Sequence, residues 1–182
     1  MSLTRRIINK LRGNMDVESL VKKGLTIGEN VFINFGCIID ESFCWLIEIG
    51  NNVTLAPNVH ILAHDASTKK ELGYTKLGGG VKIGNDVFIG AGTIVLPGVR
   101  IGNQVVVGAG SVITKNIPDN SVVVGNPAAV VCSYEDYMNK QREKFNTAYI
   151  YDESYTFRGN VTVEKKEIMK KEIGTEKSGF II

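Results

Sequence analysis

From Ile27 onward the chain returns to an aliphatic residue every six positions. Ile27, Ile33 and Ile39 open the series. After four extra residues it resumes at Ile49, Leu55 and Ile61, and after sixteen more at Ile83, Ile89, Val95, Ile101, Val107 and Ile113. The second residue of the hexad is glycine at 28, 50, 84, 90, 102 and 108. The fifth is small or apolar almost throughout: Val31, Cys37, Val53, Val59, Val87, Thr93, Val99, Val105, Ser111. A period of six is neither the roughly 3.6 of a helix nor the 2 of a two-faced strand. A short strand that turns after each hexad points its first residue inward every time, and Gly or Asn near the turn accepts backbone angles that other residues resist. Three hexads make one coil, so coils over 27–44, 49–66, 83–100 and 101–118 stack as parallel strands around an aliphatic axis. A β-sandwich would give turn signals about every 8–12 residues instead. The pattern predicts a parallel β-helix.

Composition closes off several functions. At 182 residues and 19.9 kDa the chain has the size of one domain, or of one domain with an appendage. Sixteen of its 20 glycines lie between Gly24 and Gly125, within the repeat. Net charge is +2 with no dominant basic run, which argues against a polyanion such as nucleic acid as partner. Met1–Asp16 scatters Arg5, Arg6, Lys10 and Arg12 without a long apolar run, unlike a secretory signal peptide. No stretch approaches the about 18 apolar residues of a membrane span. Cys37, Cys44 and Cys132 are odd in number and lack a C-x-x-C pair, as expected of reduced thiols in the cytoplasm.

The hexads IGNDVF, IGAGTI, VLPGVR, IGNQVV, VGAGSV and ITKNIP, followed by DNSVVVGNPA, resemble those of the hexapeptide-repeat acyltransferases. The resemblance covers roughly residues 25–131 and is strongest toward sugar O-acetyltransferases of the galactoside, maltose and capsular-polysaccharide type. It implies a mainly β fold, a left-handed parallel β-helix, assembled as a homotrimer with acetyl-CoA as donor and no metal. In APNVHILAHDAS, His64 matches the family's catalytic histidine. NFGCIID puts Asn34 and Asp40 at acceptor-binding positions. IGAG puts Ala91, and GAGSVITK puts Ala109, Thr114 and Lys115, where the family holds acetyl-CoA, the alanines acting through their backbone. Two departures matter. Where the family reads GNPAKVIR this chain reads GNPAAVVC, with Ala129 and Cys132 in place of phosphate-gripping basic residues; Lys115, or Lys140 and Arg142 downstream, must serve instead. Only residues 1–24 precede the first coil, where the galactoside and maltose enzymes carry a longer helical region, so free galactosides and maltose are poor acceptor candidates.

Acetyl transfer to an alcohol requires removal of the hydroxyl proton as oxygen attacks the thioester carbonyl. A neutral imidazole suits the task, and a positioned general base gives about 10²–10⁴-fold. His64 would then return the proton to the leaving thiolate, with no covalent intermediate. The only other histidine, His60, ends its hexad facing outward and reads as a surface or interface residue. Asp65 either orients His64 or caps the following loop. Two histidines are too few for the three-histidine zinc of a β-helical carbonic anhydrase.

Residues 65–80, DASTKKELGYTKLGGG, interrupt the period and read as an extruded loop, a lid over the acceptor with Lys69 or Tyr74 touching it. Gly78–Gly80 is no phosphate loop, since G-x-x-x-x-G-K-[ST] is absent, and Gly90-Ala91-Gly92 lacks the context of a dinucleotide fold; both read as turn glycines. The sequence thus divides into a lead-in over 1–24, a β-helix over 25–131, and a helix and tail over 132–182. In the tail, Ser133 and Asp136 form a capping-box pattern. Tyr134, Tyr137, Met138 and Phe145 give that helix an apolar face for the prism or a neighbouring subunit, and 164–177 reads as a short peripheral helix. The expected activity is acetyl transfer to a sugar hydroxyl of a surface-polysaccharide precursor. Transfer to a streptogramin-like hydroxyl or an amino-sugar amine, or a non-catalytic scaffold, are the alternatives.

Overall fold

Stacking short strands works only if every coil points the same aliphatic positions inward, and here it does. The computed structural model describes residues 15–174 and 177–182; the basic stretch with Arg5, Arg6, Lys10 and Arg12 lies outside them. Helix α1 (Val17–Lys22), whose first turn is capped by the Asp16 side chain accepting from Ser19 N, sinks Leu20 into the head of the core. The first coil follows as β1 (Thr26–Ile27), β2 (Phe32–Ile33) and β3 (Ile38–Ile39). The second is β4 (Ile47–Ile49), β5 (Thr54–Leu55) and β6 (His60–Ile61). An excursion of β7 (His64–Asp65), a helical turn α2 (Lys69–Leu72) and β8 (Lys76–Leu77) leaves the prism and returns. The third coil is β9 (Val81–Ile83), β10 (Val87–Ile89) and β11 (Ile94–Val95), and the fourth β12 (Arg100–Ile101), β13 (Val105–Val107) and β14 (Val112–Ile113). Strand β15 (Ser121–Gly125) adds to β13, and β16 (Ala128–Ser133) folds back on it antiparallel to close the stack.

The strands form three sheets: β1-β4-β9-β12, then β2-β5-β10-β13-β15-β16, then β3-β6-β11-β14, here the first, second and third. Every hexad start aligns with its counterpart one coil away: Ile27 with Ile49, Ile83 and Ile101; Ile33 with Leu55, Ile89 and Val107; Ile39 with Ile61, Val95 and Ile113. Apart from Ile27 and Ile33 in the end coil, all are at most 2 % exposed. Fifth-position Cys37, Val53, Val59, Val87, Val99 and Val105 fill the space between them, and buried Thr93 and Ser111 bond the carbonyl of Gly108.

Turning and stacking fall to different residues. Left-handed angles belong to the fourth hexad position, at Asn30, Asn52, Asp86 and Gln104 for one corner. The second-position glycines serve clearance: a Cβ on Gly50 would lie 2.6 Å from Gly84 O, and one on Gly84 2.7 Å from Gly102 O. Beside them runs a ladder in which Asn51, Asn85, Asn103 and Asp119 each accept, through Oδ1, the backbone N–H one coil below. In the Gly78–Gly80 run the roles divide: Gly79 takes the left-handed angle of a turn (φ +93), while a Cβ on Gly78 would lie 2.4 Å from Pro97 Cβ, so that glycine lets the returning excursion lie against the third coil.

The outward residues differ by face. The first sheet shows Thr26, Glu48, Lys82 and Arg100, with Lys82 Nζ 2.9 Å from Glu48. The second shows Phe32, Thr54, Phe88 and Val106, and the third Ile38, His60, Ile94 and Val112.

The described chain divides into two compact units, the prism ending at Tyr134 and a second over Glu135–Ile182. The second holds α3 (Tyr134–Thr147), β17 (Tyr149–Tyr151), α4 (Val163–Ile173) and β18 (Gly179–Ile181), with β17 and β18 paired in parallel. Phe145 of α3 meets Phe180 edge-on at 5.2 Å. Buried Tyr151 donates to Glu172 at 2.9 Å; burial first, then the Glu172 carboxylate, push its hydroxyl up to about 12.

Candidate functional site

Both long interruptions of the period fall at one corner, between the third sheet and the first. The residues after Ile39 and those after Ile61 therefore emerge from neighbouring coils, one above the other. The chain of Asp40 is tied to the coil above by Asp40 N donating to Ile61 O at 2.9 Å, and two residues beyond the level of Leu62 the chain turns out at His64. Asp40 and His64, 24 residues apart in sequence, meet here: His64 Nδ1 contacts Asp40 Oδ2.

The carboxylate is buried and fully engaged. Its Oδ1 accepts from the backbone N–H of Ser42 (3.0 Å) and Phe43 (3.3 Å), and its Oδ2 accepts from Ala63 N (3.0 Å) as well as the imidazole. Burial by itself would push the Asp40 carboxyl up; the N–H of Ala63, the hydrogen bond and charge of His64 and the N–H of Ser42 outweigh it and hold the group below the usual carboxylate range. An ionised carboxylate only accepts, so Nδ1 carries a proton, and in the neutral imidazole the lone pair is then on Nε2. The imidazole is a third exposed and meets the Phe43 ring at a 58° tilt, ring centroids 5.1 Å apart. The arrangement can hold one tautomer of His64 with its basic nitrogen free, which is what a general base needs.

Asp40, expected at an acceptor-binding position, has both carboxylate oxygens engaged by partners inside the chain, His64 among them. Asp65, the other candidate orienter, instead accepts from Ser67 N at 2.8 Å and caps the excursion; that N–H bond first, then the Ser67 side chain, lowers its carboxyl.

The remaining expected residues separate into two groups. Thr114 and Lys115 follow β14 at the His64 corner, two coils further along, or about 10 Å at ordinary strand spacing. Asn34, Ala91 and Ala109 follow β2, β10 and β13 at the opposite edge of the third sheet, and within one chain they do not meet His64. Asn34 Nδ2 donates to Leu55 O at 2.9 Å. Ala91 and Ala109 are exposed, and a Cβ on the adjoining Gly92 or Gly110 would meet nothing within 4 Å, so that corner is open. Lys140 and Arg142 belong to the second unit, where Arg142 donates to Asn139 at 2.7 Å. Ala129 lies exposed on β16 and Cys132 is half-buried there; all three cysteines are free thiols.

The excursion is more ordered than an extruded loop: β7 and β8 pair antiparallel, setting Leu77 opposite His64. Lys69 and Tyr74 are exposed on it. Sequence reasoning missed Phe43 and Trp45, which line the same corner. The signal was present, since the aromatic run SFCWL leads into the first break in the period. Among the described residues no three His, Cys, Asp or Glu side chains converge as metal ligands would, and no helix is long and apolar enough to cross a membrane.

Comparison with known proteins places this geometry in context. Residues 74–115 match the family model for bacterial transferase hexapeptide (six repeats). The chain is 36 % identical to Protein CapG of Staphylococcus aureus over 142 residues, covering 76 % of this chain and 83 % of CapG. A maltose O-acetyltransferase from Clostridium difficile superposes with a TM-score of 0.54 at 46 % identity, covering 60 % of this chain and 59 % of that one. A hexapeptide-repeat acetyltransferase from Vibrio cholerae, solved with acetyl coenzyme A, gives a TM-score of 0.55 at 29 % identity, over 62 % and 61 %. Several other curated relatives are spanned over little more than half of their length.

Proposed function

The chain belongs to the hexapeptide-repeat transferase family, with its left-handed parallel β-helix, and is an acetyltransferase; from that premise we propose that it carries acetyl from acetyl-CoA to a hydroxyl of a sugar, with His64 as general base and Asp40 as its positioning residue. The observation that carries the reading is the Asp40–His64 pair, which fixes the proton on Nδ1 and leaves Nε2 basic. Nε2 takes the acceptor hydroxyl proton as that oxygen bonds to the thioester carbonyl carbon. The carbon–sulfur bond then breaks, and His64 returns the proton to the departing sulfur. The name of one solved relative, a maltose O-acetyltransferase, supports a carbohydrate acceptor.

Acetyl-CoA suits the open, small-residue corner of Ala91 and Ala109, with Thr114 and exposed Lys115 at the other edge of the third sheet. Because these groups flank one sheet without meeting, the site is completed between copies, one chain's Ala91 and Ala109 corner facing its neighbour's His64 corner. The mostly apolar outer faces of the second and third sheets, broken only by Thr54 and His60, against the charged first, support a homotrimer. Thiol release from acetyl-CoA over a panel of methyl glycosides, nucleotide sugars, streptogramins and amino sugars tests the reading. Sugar-dependent release with acetate recovered as an ester supports it. Release only with amines or streptogramins contradicts it.

A further inference from the structure

We propose that Trp45 is an acceptor-binding residue, an aromatic platform on which the ring of a glycoside stacks while a hydroxyl of the same or adjoining ring reaches His64. This rests on the sugar-acetyltransferase reading above and specifies how that acceptor is recognised.

Trp45 is the chain's single tryptophan, and 55 % of it is exposed. Tryptophan is strongly buried on average, so leaving half an indole in water forgoes apolar burial that a ligand could supply. Nor is the side chain loosely attached. It lies in a 3₁₀ turn, Cys44–Leu46, pinned from both sides. Cys44 is fully buried and its Sγ donates to Leu20 O at 3.6 Å, while Leu46 packs on the core. The stem sits directly over Gly24, where any added Cβ would lie 2.8 Å from Trp45 Cβ. Clamped this way, the turn holds the Trp45 indole outward in a fixed position beside Phe43, which itself packs on the core. Little conformational entropy remains to be lost when a ligand binds.

The direction of the aromatic row identifies what it would hold. Trp45 meets Phe43 edge-on, centroids 5.6 Å apart, and Phe43 meets the His64 ring at 5.1 Å. Solvent-exposed indole and base are thus linked by two ring contacts, the span of one to two sugar rings. A pyranose has an apolar C–H face and a rim of hydroxyls. The C–H face suits an indole, and the rim is left free to present one hydroxyl to Nε2. The excursion strand supplies exposed Leu77 opposite His64, a second apolar contact at the same corner.

Because the chain has one tryptophan, its emission reports on this residue alone. The probes are the methyl β-glycosides of glucose, galactose and N-acetylglucosamine, and chitobiose, titrated without acetyl-CoA; transfer is then measured with each. A saturable blue shift of the emission is expected. Trp45→Ala should raise KM for the acetylated glycoside at least about tenfold while kcat, KM for acetyl-CoA and the sedimentation mass stay within about twofold, and Trp45→Phe should recover part of the loss. An acetylated glycoside that leaves both emission and the variant's KM unchanged overturns the proposal. So does a smaller mass for Trp45→Ala, which would make the indole a contact between copies. If none of these glycosides is acetylated, the transfer reading fails for them; a saturable shift still upholds the platform, and no shift overturns it.

Discussion

Without Asp40, His64 would be a third-exposed imidazole free to turn over; in the proposed mechanism Asp40 makes it a base with one basic nitrogen. Asp40→Asn preserves the volume but replaces a four-times-accepting carboxylate with an amide that can donate to Nδ1 and favour the wrong tautomer. It should lower kcat on the order of 10²-fold with KM for acetyl-CoA unchanged, as steady-state kinetics would read. The same substitution alters acid stability in a definite direction. The Asp40 carboxyl is held below its ordinary value, so its stabilisation is present above the unfolded value near about 4 and fades as pH falls through the lower folded one. Thermal melts below about pH 4 should therefore fall less steeply for Asp40→Asn than for wild type. Asp65 and Asp152 are also lowered and titrate in both proteins, so the difference between them isolates Asp40. At this scale the sequence is only half informative. His64 is legible from its motif, but its partner is not: the contact joins residues 24 apart across the first break in the period, and nothing in one-dimensional spacing distinguishes Asp40 from Asp65.

Among elements, the hexad proves most legible because burial is compulsory there. An aliphatic residue that missed the axis would face water, so Ile27 through Ile113 predict the register of three sheets without further input. The glycines are legible in position but not in purpose. Turn geometry falls to the fourth hexad position, and second-position glycines leave room for the coil above. Gly84→Ala sets a methyl 2.7 Å from Gly102 O, where backbone cannot yield cheaply. It should cost about 1–3 kcal/mol in chemical denaturation, with the far-UV spectrum unchanged. What fills the breaks in the period is legible only in part: the aromatic run SFCWL shows in the sequence, but no periodicity announces the Phe43–Trp45 row or the β7–β8 pairing. The tail follows the same rule: its helices are legible, while the β17–β18 pair joins segments some thirty residues apart.

For the whole molecule, two of three outer faces are mostly apolar and the expected site residues stand on both edges of one of them. The proposed threefold assembly would cover those faces and bring the edges together across copies. Sedimentation equilibrium should give three times 19.9 kDa, and Phe88→Glu on the outer face of the second sheet should give monomers that fold but do not turn over. A monomeric mass for wild type at micromolar concentration would contradict the shared site.

The central claim, that this prism is an acetyltransferase working through one buried-carboxylate-held histidine, meets its most direct test in a single comparison. Thiol release from acetyl-CoA, driven by an accepted sugar, is measured for wild type and for His64→Ala at matched folding and mass. The account predicts a loss of at least about 10²-fold in kcat with acetyl-CoA binding retained. Turnover in the variant within a few-fold of wild type would contradict it.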